Sequence, residues 1–124
     1  PGPATGCRSL CRMPKNQAKK FDIPGGTSGY LYPSHPKEEQ SIALVSAKGN
    51  HPDNGWSVNS RCTETIFVLS GSLKVNIDGK IFYLKKDDLI MIFPGQKYQI
   101  RGRAKTLDLI TPAWDKSQNK IIIE

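Results

Sequence analysis

The most restrictive feature of this sequence is a short alternating segment that runs into a two-residue turn. Leu73, Val75 and Ile77 are apolar and the residues between them are polar, which is the period of two of a half-buried β-strand. Asp78-Gly79 follows directly and favours a type I′ turn, since both of its positions need positive φ. Residues 80–84 then supply a second β-branched and aromatic run. The sequence therefore predicts a β-hairpin centred on Asp78-Gly79.

Short strand-like runs fill most of the remaining chain. They are rich in apolar or β-branched residues, are bounded by turn formers and recur about every 8 to 12 residues, which is typical of all-β barrels and sandwiches. No segment has a convincing helical period. The further runs lie at residues 41–47, 65–69, 89–93, 97–101, 106–111 and 120–123. We predict one antiparallel barrel over residues 20–124, after a flexible arm, residues 1–19. Part of that arm is an upstream extension or an engineered remnant, and Pro1 and Met13 are both open as the natural start.

Composition excludes several classes of protein. The chain has 124 residues, enough for one core, and its longest apolar run spans only residues 89–93, where a bilayer needs about 20 residues. The net charge is +7, but the basic residues are spread along the chain without interleaved aromatics, which argues against a specific nucleic-acid site. Three cysteines without a secretory signal indicate reduced thiols and a cytoplasmic protein. We expect neither a membrane nor a nucleic acid as partner.

A second group of residues points to a particular kind of barrel. Glu64 is followed after six residues by Gly71, and Asp88 opens an apolar run that ends at Pro94-Gly95. Tyr98 follows shortly after that turn. Together these residues resemble the two motifs of the cupin family, whose members are small β-barrels with a double-stranded β-helix, or jelly-roll, core. The resemblance covers about residues 55–112 and implies an all-β cupin barrel, with Asp87 where the family has a glycine.

The residues that hold a metal ion in cupins are replaced in this chain. In metal-binding members two histidines precede the glutamate and a third lies in the second motif, where this chain has Tyr98. The two upstream positions fall on Ser57 or Val58 with Asn59 or Ser60, or, in another register, on Arg61 and Thr63. Glu64 alone is a poor transition-metal site, so we predict no metal and no other cofactor. It stays open whether His35 or His51, both in predicted loops, reaches the cavity to make an atypical metal site.

Glu64 is the centre of the predicted functional site. It shares a strand face with Ile66 and Val68 by the period of two, so we expect it inside the barrel, where a carboxylate needs a partner and has a raised pKa. Tyr98 stands where the family has a cavity ligand, and it is either a pocket donor or a core tyrosine. Glu64 and Tyr98 are the predicted catalytic residues. The predicted ligand-binding residues are Glu64, Tyr98, Arg61 and Trp56.

Three functions remain open at this point. The first is a cupin that binds a small polar metabolite in its barrel without a conventional metal. The second is a metal-independent isomerase or epimerase in which Glu64 acts as acid or base, and whether any reaction is catalysed stays open. The third is an interaction module, whose barrel would be filled with side chains. The family resemblance and the β-branched run Ile121-Ile122-Ile123 also predict a homodimer.

Overall fold

The computed structural model describes residues 12–34 and 37–123. Residues 1–11 of the predicted arm, together with His35, lie outside the described residues. Within the described residues, no helix is long and apolar enough to cross a membrane. The regular elements described are 3-10 turns at Lys15–Gln17 and Lys116–Gln118 and strands β1 (Lys19–Ile23), β2 (Thr27–Leu31), β3 (Ser41–His51), β4 (Trp56–Asn59), β5 (Thr63–Ile77), β6 (Lys80–Lys85), β7 (Leu89–Ile92), β8 (Lys97–Thr111) and β9 (Asn119–Ile122).

Two long strands, β5 and β8, form the centre of a single antiparallel barrel. They pair along their whole length, from Thr63 opposite Thr111 to Ile77 opposite Tyr98. The other edge of β8 pairs with β3 and then with β4, while β5 pairs with β7 and then with β6. β1 and β2 extend the sheet beyond β3, and β9 extends it beyond β4. The predicted all-β, jelly-roll architecture is therefore confirmed.

The core lies between the inward faces of these strands. Glu64, Ile66 and Val68 are buried in the first half of β5, and a β-bulge between Val68 and Ser70 then shifts the alternation. The bulge adds one residue on one strand, so the same inward face continues at odd-numbered positions. The buried core cluster consists of Ala47, Ile66, Val68, Leu73, Val75, Ile77, Leu84, Ile92, Tyr98 and Ala104.

The turns have the backbone geometry that the sequence predicts. Asp78 and Gly79 have φ values of 53° and 95°, and Ile77 lies opposite Lys80, which confirms the hairpin. Asp87 has a φ of 75°, a left-handed conformation that costs glycine little. That conformation is consistent with the glycine that the resemblance to cupins implies at the position of Asp87.

Several element boundaries differ from the sequence prediction. The runs at 65–69 and 73–77 are one strand, β5, and those at 97–101 and 106–111 are one strand, β8. Strands β1, β2 and β4 were not predicted, because they are short and lack a clear apolar alternation. β3 continues past residue 47 to His51, so the prediction that His51 lies in a loop is wrong. Pairing with β8 carries β3 through the turn-forming residues that suggested a loop.

Candidate functional site

Glu64 lies inside the barrel near the start of β5. It is flanked by Ile92 of β7 and Ile110 of β8, and only 8% of it is exposed. Its Oε1 accepts hydrogen bonds from the Tyr98 hydroxyl at 3.0 Å and from Asn59 Nδ2 at 2.8 Å. Burial raises the pKa of the carboxyl group, and the two hydrogen bonds offset part of that rise because they favour the ionised form.

Tyr98 faces Glu64 from the start of β8. It lies opposite Ser57 of β4, is almost fully buried, and donates its phenolic proton to Glu64. Burial and the negative charge of Glu64 keep the pKa of Tyr98 well above its usual value. Tyr98 is therefore a hydrogen-bond donor at neutral pH, and its hydroxyl is satisfied within the core.

Asp108 is a second acid on the same inner surface, and the sequence analysis missed it. It lies on β8 between Ile66 of β5 and Ala43 of β3, diagonally across from Glu64. Thr106 Oγ1 donates a hydrogen bond of 2.8 Å to Asp108 Oδ1. Burial, followed by the negative charge of Glu64, raises the pKa of Asp108 to about 8. At pH 7 Asp108 therefore holds its proton beside an acid whose hydrogen bonds favour ionisation.

His51 joins this cluster from the end of β3. Its ring centroid is 6.1 Å from that of Tyr98, with the two planes tilted by 50°. Burial lowers the pKa of His51, although the nearby Asp53 carboxylate opposes the change, so the imidazole is neutral at pH 7. His51 Nδ1 is buried and has no hydrogen-bond partner among the described residues. Such an atom points to a group that residues 12–34 and 37–123 do not supply.

A row of amides supports the cluster from the barrel wall. Asn59 at the end of β4 receives hydrogen bonds from Gln118 and Asn119, both near the start of β9. Asn59 was named only as a possible replaced histidine position, and Gln118 and Asn119 were not predicted, because no local spacing relates residues so distant in the chain. The pairing of β4 with β9 brings them together.

Two other residues predicted to bind ligand lie elsewhere. Arg61 is exposed, and its Nη2 contacts Asp115 Oδ2 at 3.3 Å. Trp56 alternates with the buried Ser57 on β4, and Lys97 Nζ lies 4.6 Å from the centroid of its ring. The structure therefore brings Glu64 and Tyr98 together, but it does not bring Arg61 or Trp56 to that pair.

Two open clefts on the surface are separate from the inner cluster. The first has a volume of about 250 Å³ and is bordered by Tyr32 and Trp114. The second has a volume of about 520 Å³ and is bordered by Arg61, Trp114 and Lys116. Neither is lined by Glu64, Tyr98 or Asp108. The acid–base groups thus belong to the barrel interior rather than to these clefts.

The donor set does not fit the metal site of the cupin resemblance. Within residues 12–34 and 37–123, no three His, Cys, Asp or Glu side chains form a group that could hold a metal ion. Tyr98, which replaces the last histidine, uses its hydroxyl proton on Glu64, and the buried Asn59 donates to the same oxygen. Glu64 is thus surrounded by donors rather than by further metal ligands.

Comparison with solved structures identifies the fold. Streptomyces Pac13, described as a unique nucleoside dehydratase, is 17% identical, with a TM-score of 0.80 over 91% of this chain and 92% of that chain. An RmlC-like cupin from Shewanella frigidimarina is 21% identical, with a TM-score of 0.67 over 82% of this chain and 90% of that one. KdgF from Halomonas is 14% identical, with a TM-score of 0.65 over 85% and 96%. The chain therefore has the double-stranded β-helix fold of the cupin superfamily, as its motifs predicted.

The sequence comparisons give no closer assignment. No family model and no curated protein matches the sequence. Pac13 has been solved with uridine in variants that change either of two tyrosines to phenylalanine, or a histidine to glutamine.

Proposed function

We propose that this protein binds a small polar metabolite inside its barrel and acts on it by metal-independent proton transfer. The observation that carries the proposal is the pair of acids on one inner surface, the buried Glu64 and the half-buried Asp108. Burial raises the pKa of both acids, to about 8 for Asp108, but two hydrogen bonds to Glu64 oppose the rise and favour its ionised form. Neighbouring acids whose environments differ in this way are a usual arrangement for a base and an acid in catalysis.

The geometry suits a ligand that bridges the two acids. Diagonal neighbours on one sheet face are about 7 to 8 Å apart, so one ligand can contact both carboxyl groups. The side chain directly opposite Asp108 on β3 is the small Ala43. Glu64 would remove a proton from carbon, and Asp108 would deliver one elsewhere on the ligand. Delivery to carbon completes an isomerisation, and delivery to a hydroxyl that leaves as water completes a dehydration.

Nucleosides are the first ligand class to test. Pac13 acts on a nucleoside, and its altered histidine and one altered tyrosine are separated by the same number of residues as His51 and Tyr98 here. Its other altered tyrosine falls, by the same count, at the position of Glu64. This agreement in spacing supports a shared site location. Because a glutamate replaces that tyrosine, we infer a related ligand with a different reacting group.

Binding and turnover of uridine test the proposal. We expect calorimetry to detect uridine binding to the unaltered protein, and mass spectrometry to show whether nucleosides lose water. Glu64→Gln and Tyr98→Phe should each weaken binding or turnover at least about tenfold, because each removes a hydrogen-bonding or charged group from the site. Glu39→Gln and Tyr83→Phe make the same chemical changes at exposed positions and should have no effect. Equal binding by all four variants would contradict a site at Glu64.

We also propose that the protein is a homodimer, and that the outer face of the β7-β5-β8-β3 sheet is the interface. Ile121, Ile122 and Ile123 are all substantially exposed, but a broader apolar surface lies on this sheet. Two rows of residues paired across the strands form this surface, and neither row contains a charged residue. We call them the apolar sheet face. The first row is Leu89, Phe67, Leu107 and Leu44, and the second row is Met91, Thr65, Leu109 and Ile42. In a chain of net charge +7, a charge-free surface lets two copies meet without like-charge repulsion.

A further inference from the structure

Gln118 has its side-chain orientation fixed by the backbone. It is 5% exposed, and its Oε1 accepts hydrogen bonds from the backbone N–H of Arg61 at 3.2 Å and of Cys62 at 3.0 Å. A backbone N–H can only donate, so the oxygen of this amide must face residues 61 and 62. The amide nitrogen is thereby turned towards Asn59.

The orientation of the Gln118 amide in turn fixes that of the Asn59 amide. Its Oδ1 accepts from Gln118 Nε2 at 2.9 Å and from Asn119 Nδ2 at 3.0 Å, and the side chain is almost fully buried. Two donors on the oxygen leave only the Nδ2 end of Asn59 to face Glu64, to which it donates at 2.8 Å. The direction of donation thus passes from the backbone through two amides to one carboxylate oxygen.

A second chain of donors reaches the same oxygen. Asn119 Nδ2 donates to Ser57 Oγ at 2.9 Å, and the Ser57 hydroxyl hydrogen-bonds Tyr98, the residue opposite it in β8. Tyr98 then donates to Glu64 Oε1. Both chains begin at residues near the start of β9 and end at Glu64 Oε1, while Glu64 Oε2 takes part in neither.

We propose that Gln118 is a positioning residue that holds Glu64 as a proton acceptor, with Oε1 committed to the protein and Oε2 left for the ligand. The inference rests on the proposed function, because it assigns the base role in that reaction to Glu64. It also explains why a buried wall of the barrel contains three amides where apolar residues would pack at lower cost.

Gln118→Glu tests this role directly. The introduced carboxylate still accepts from the backbone, but in its ionised form it cannot donate, so the Asn59 amide turns over and presents oxygen to Glu64. Glu64 then loses a donor and gains a repulsive neighbour. We expect its titration midpoint, followed by carboxyl carbon NMR of the full chain without ligand, to rise by about one pH unit or more. Gln96→Glu is the control, since its Oε1 also accepts a backbone N–H but from Phe93, and it should leave Glu64 unchanged.

A second variant separates positioning from a general structural role. Gln118→Met removes the amide without adding charge, and we expect a smaller rise in the Glu64 midpoint, with the folded state retained. An unchanged midpoint in a folded Gln118→Glu protein would overturn the proposal. Loss of the fold in both variants would assign Gln118 a structural role instead and would also overturn it. Failure of the unaltered protein to bind uridine counts only against the proposed function, because the titration needs no ligand.

Discussion

At the scale of single residues, the burial of Asp108 makes stability depend on pH. The usual pKa of 3.8, which describes the unfolded chain, rises to about 8 in the folded protein. The folded state therefore binds the proton more tightly, and its advantage is complete below about pH 4 and lost as pH rises through 8. The raised pKa of Glu64 acts in the same direction.

We predict that Asp108→Asn changes this pH dependence. The amide oxygen still accepts the hydrogen bond from Thr106, and no carboxylate has to be ionised in the interior. The variant should gain stability relative to the unaltered protein as pH rises from about 4 to 8, by about 1 kcal/mol per pH unit, with the difference smallest below pH 4 and constant above pH 8. Denaturant unfolding across this pH range measures it. Asp22→Asn, at an exposed position of β1, serves as control, and a constant offset between Asp108→Asn and the unaltered protein would refute the assignment.

The sequence is sufficient to predict part of this site and misleading about the rest. Glu64 and Tyr98 follow from strand alternation and from the cupin motifs, and their predicted proximity is confirmed. Asp108 does not follow, because Leu107 and Leu109 on either side suggest that the leucines face the core. His51 was predicted to lie in a loop because turn-forming residues surround it in the sequence. In both cases pairing with distant strands, rather than local pattern, determines the direction of the side chain.

At the scale of elements, the pairing of β5 with β8 just after the β-bulge depends on two glycines. Gly71 of β5 lies against the backbone of β8, and Gly102 of β8 lies against the backbone of β5. A Cβ on Gly71 would overlap the carbonyl oxygen of Arg103, and one on Gly102 would lie 2.7 Å from the carbonyl oxygen of Ser72. Both glycines have positive φ, 84° and 126°. The sequence signals a break here, which is why each long strand was predicted as two short ones. Both strands instead continue through this point. Glycine is needed there because the two backbones approach each other too closely for a side chain to fit between them.

A matched pair of glycine variants measures this close approach. Gly79 has a similarly positive φ, 95°, but no atom lies within 4 Å of the Cβ that alanine would add. We predict that Gly79→Ala costs about 1 kcal/mol of unfolding free energy through backbone strain alone. Gly71→Ala should cost about 3 kcal/mol or more, because the strain is joined by a collision with backbone. If Gly71→Ala and Gly79→Ala lowered the unfolding free energy equally, in thermal or denaturant unfolding, β5 and β8 would have to move apart easily at Gly71.

At the scale of the whole molecule, the apolar sheet face sets the expected assembly. Leu89 and Met91 are about half exposed, and Leu107 is 42% exposed, although all three lie on a sheet of four paired strands. An apolar surface of this kind on the outside of a folded protein is usually an interface. The same strands carry the inner acids, so the assembly and the proposed reaction share β5 and β8.

We predict that sedimentation at micromolar concentration gives twice the chain mass of 13.8 kDa. Leu107→Lys should return the mass to that of one chain, since it places two copies of a charge in the interface. Tyr83→Lys introduces the same charge at a position that is 76% exposed and outside the apolar sheet face, and it should leave the dimer intact. A mass of one chain for the unaltered protein would exclude this interface.

The alternation in β8 has a consequence for the uniqueness of the fold. Thr106 and Asp108 point inwards while Leu107 and Leu109 point outwards, the reverse of what solvation alone would select. A slip of β8 by one residue would exchange the two pairs and put leucine in the core and carboxylate in water. The same slip would turn the exposed Lys105 inwards and the buried Ile110 outwards, which opposes that gain. The long pairing of β8 with both β3 and β5 therefore stabilises a register in which an acid, rather than a leucine, faces the interior.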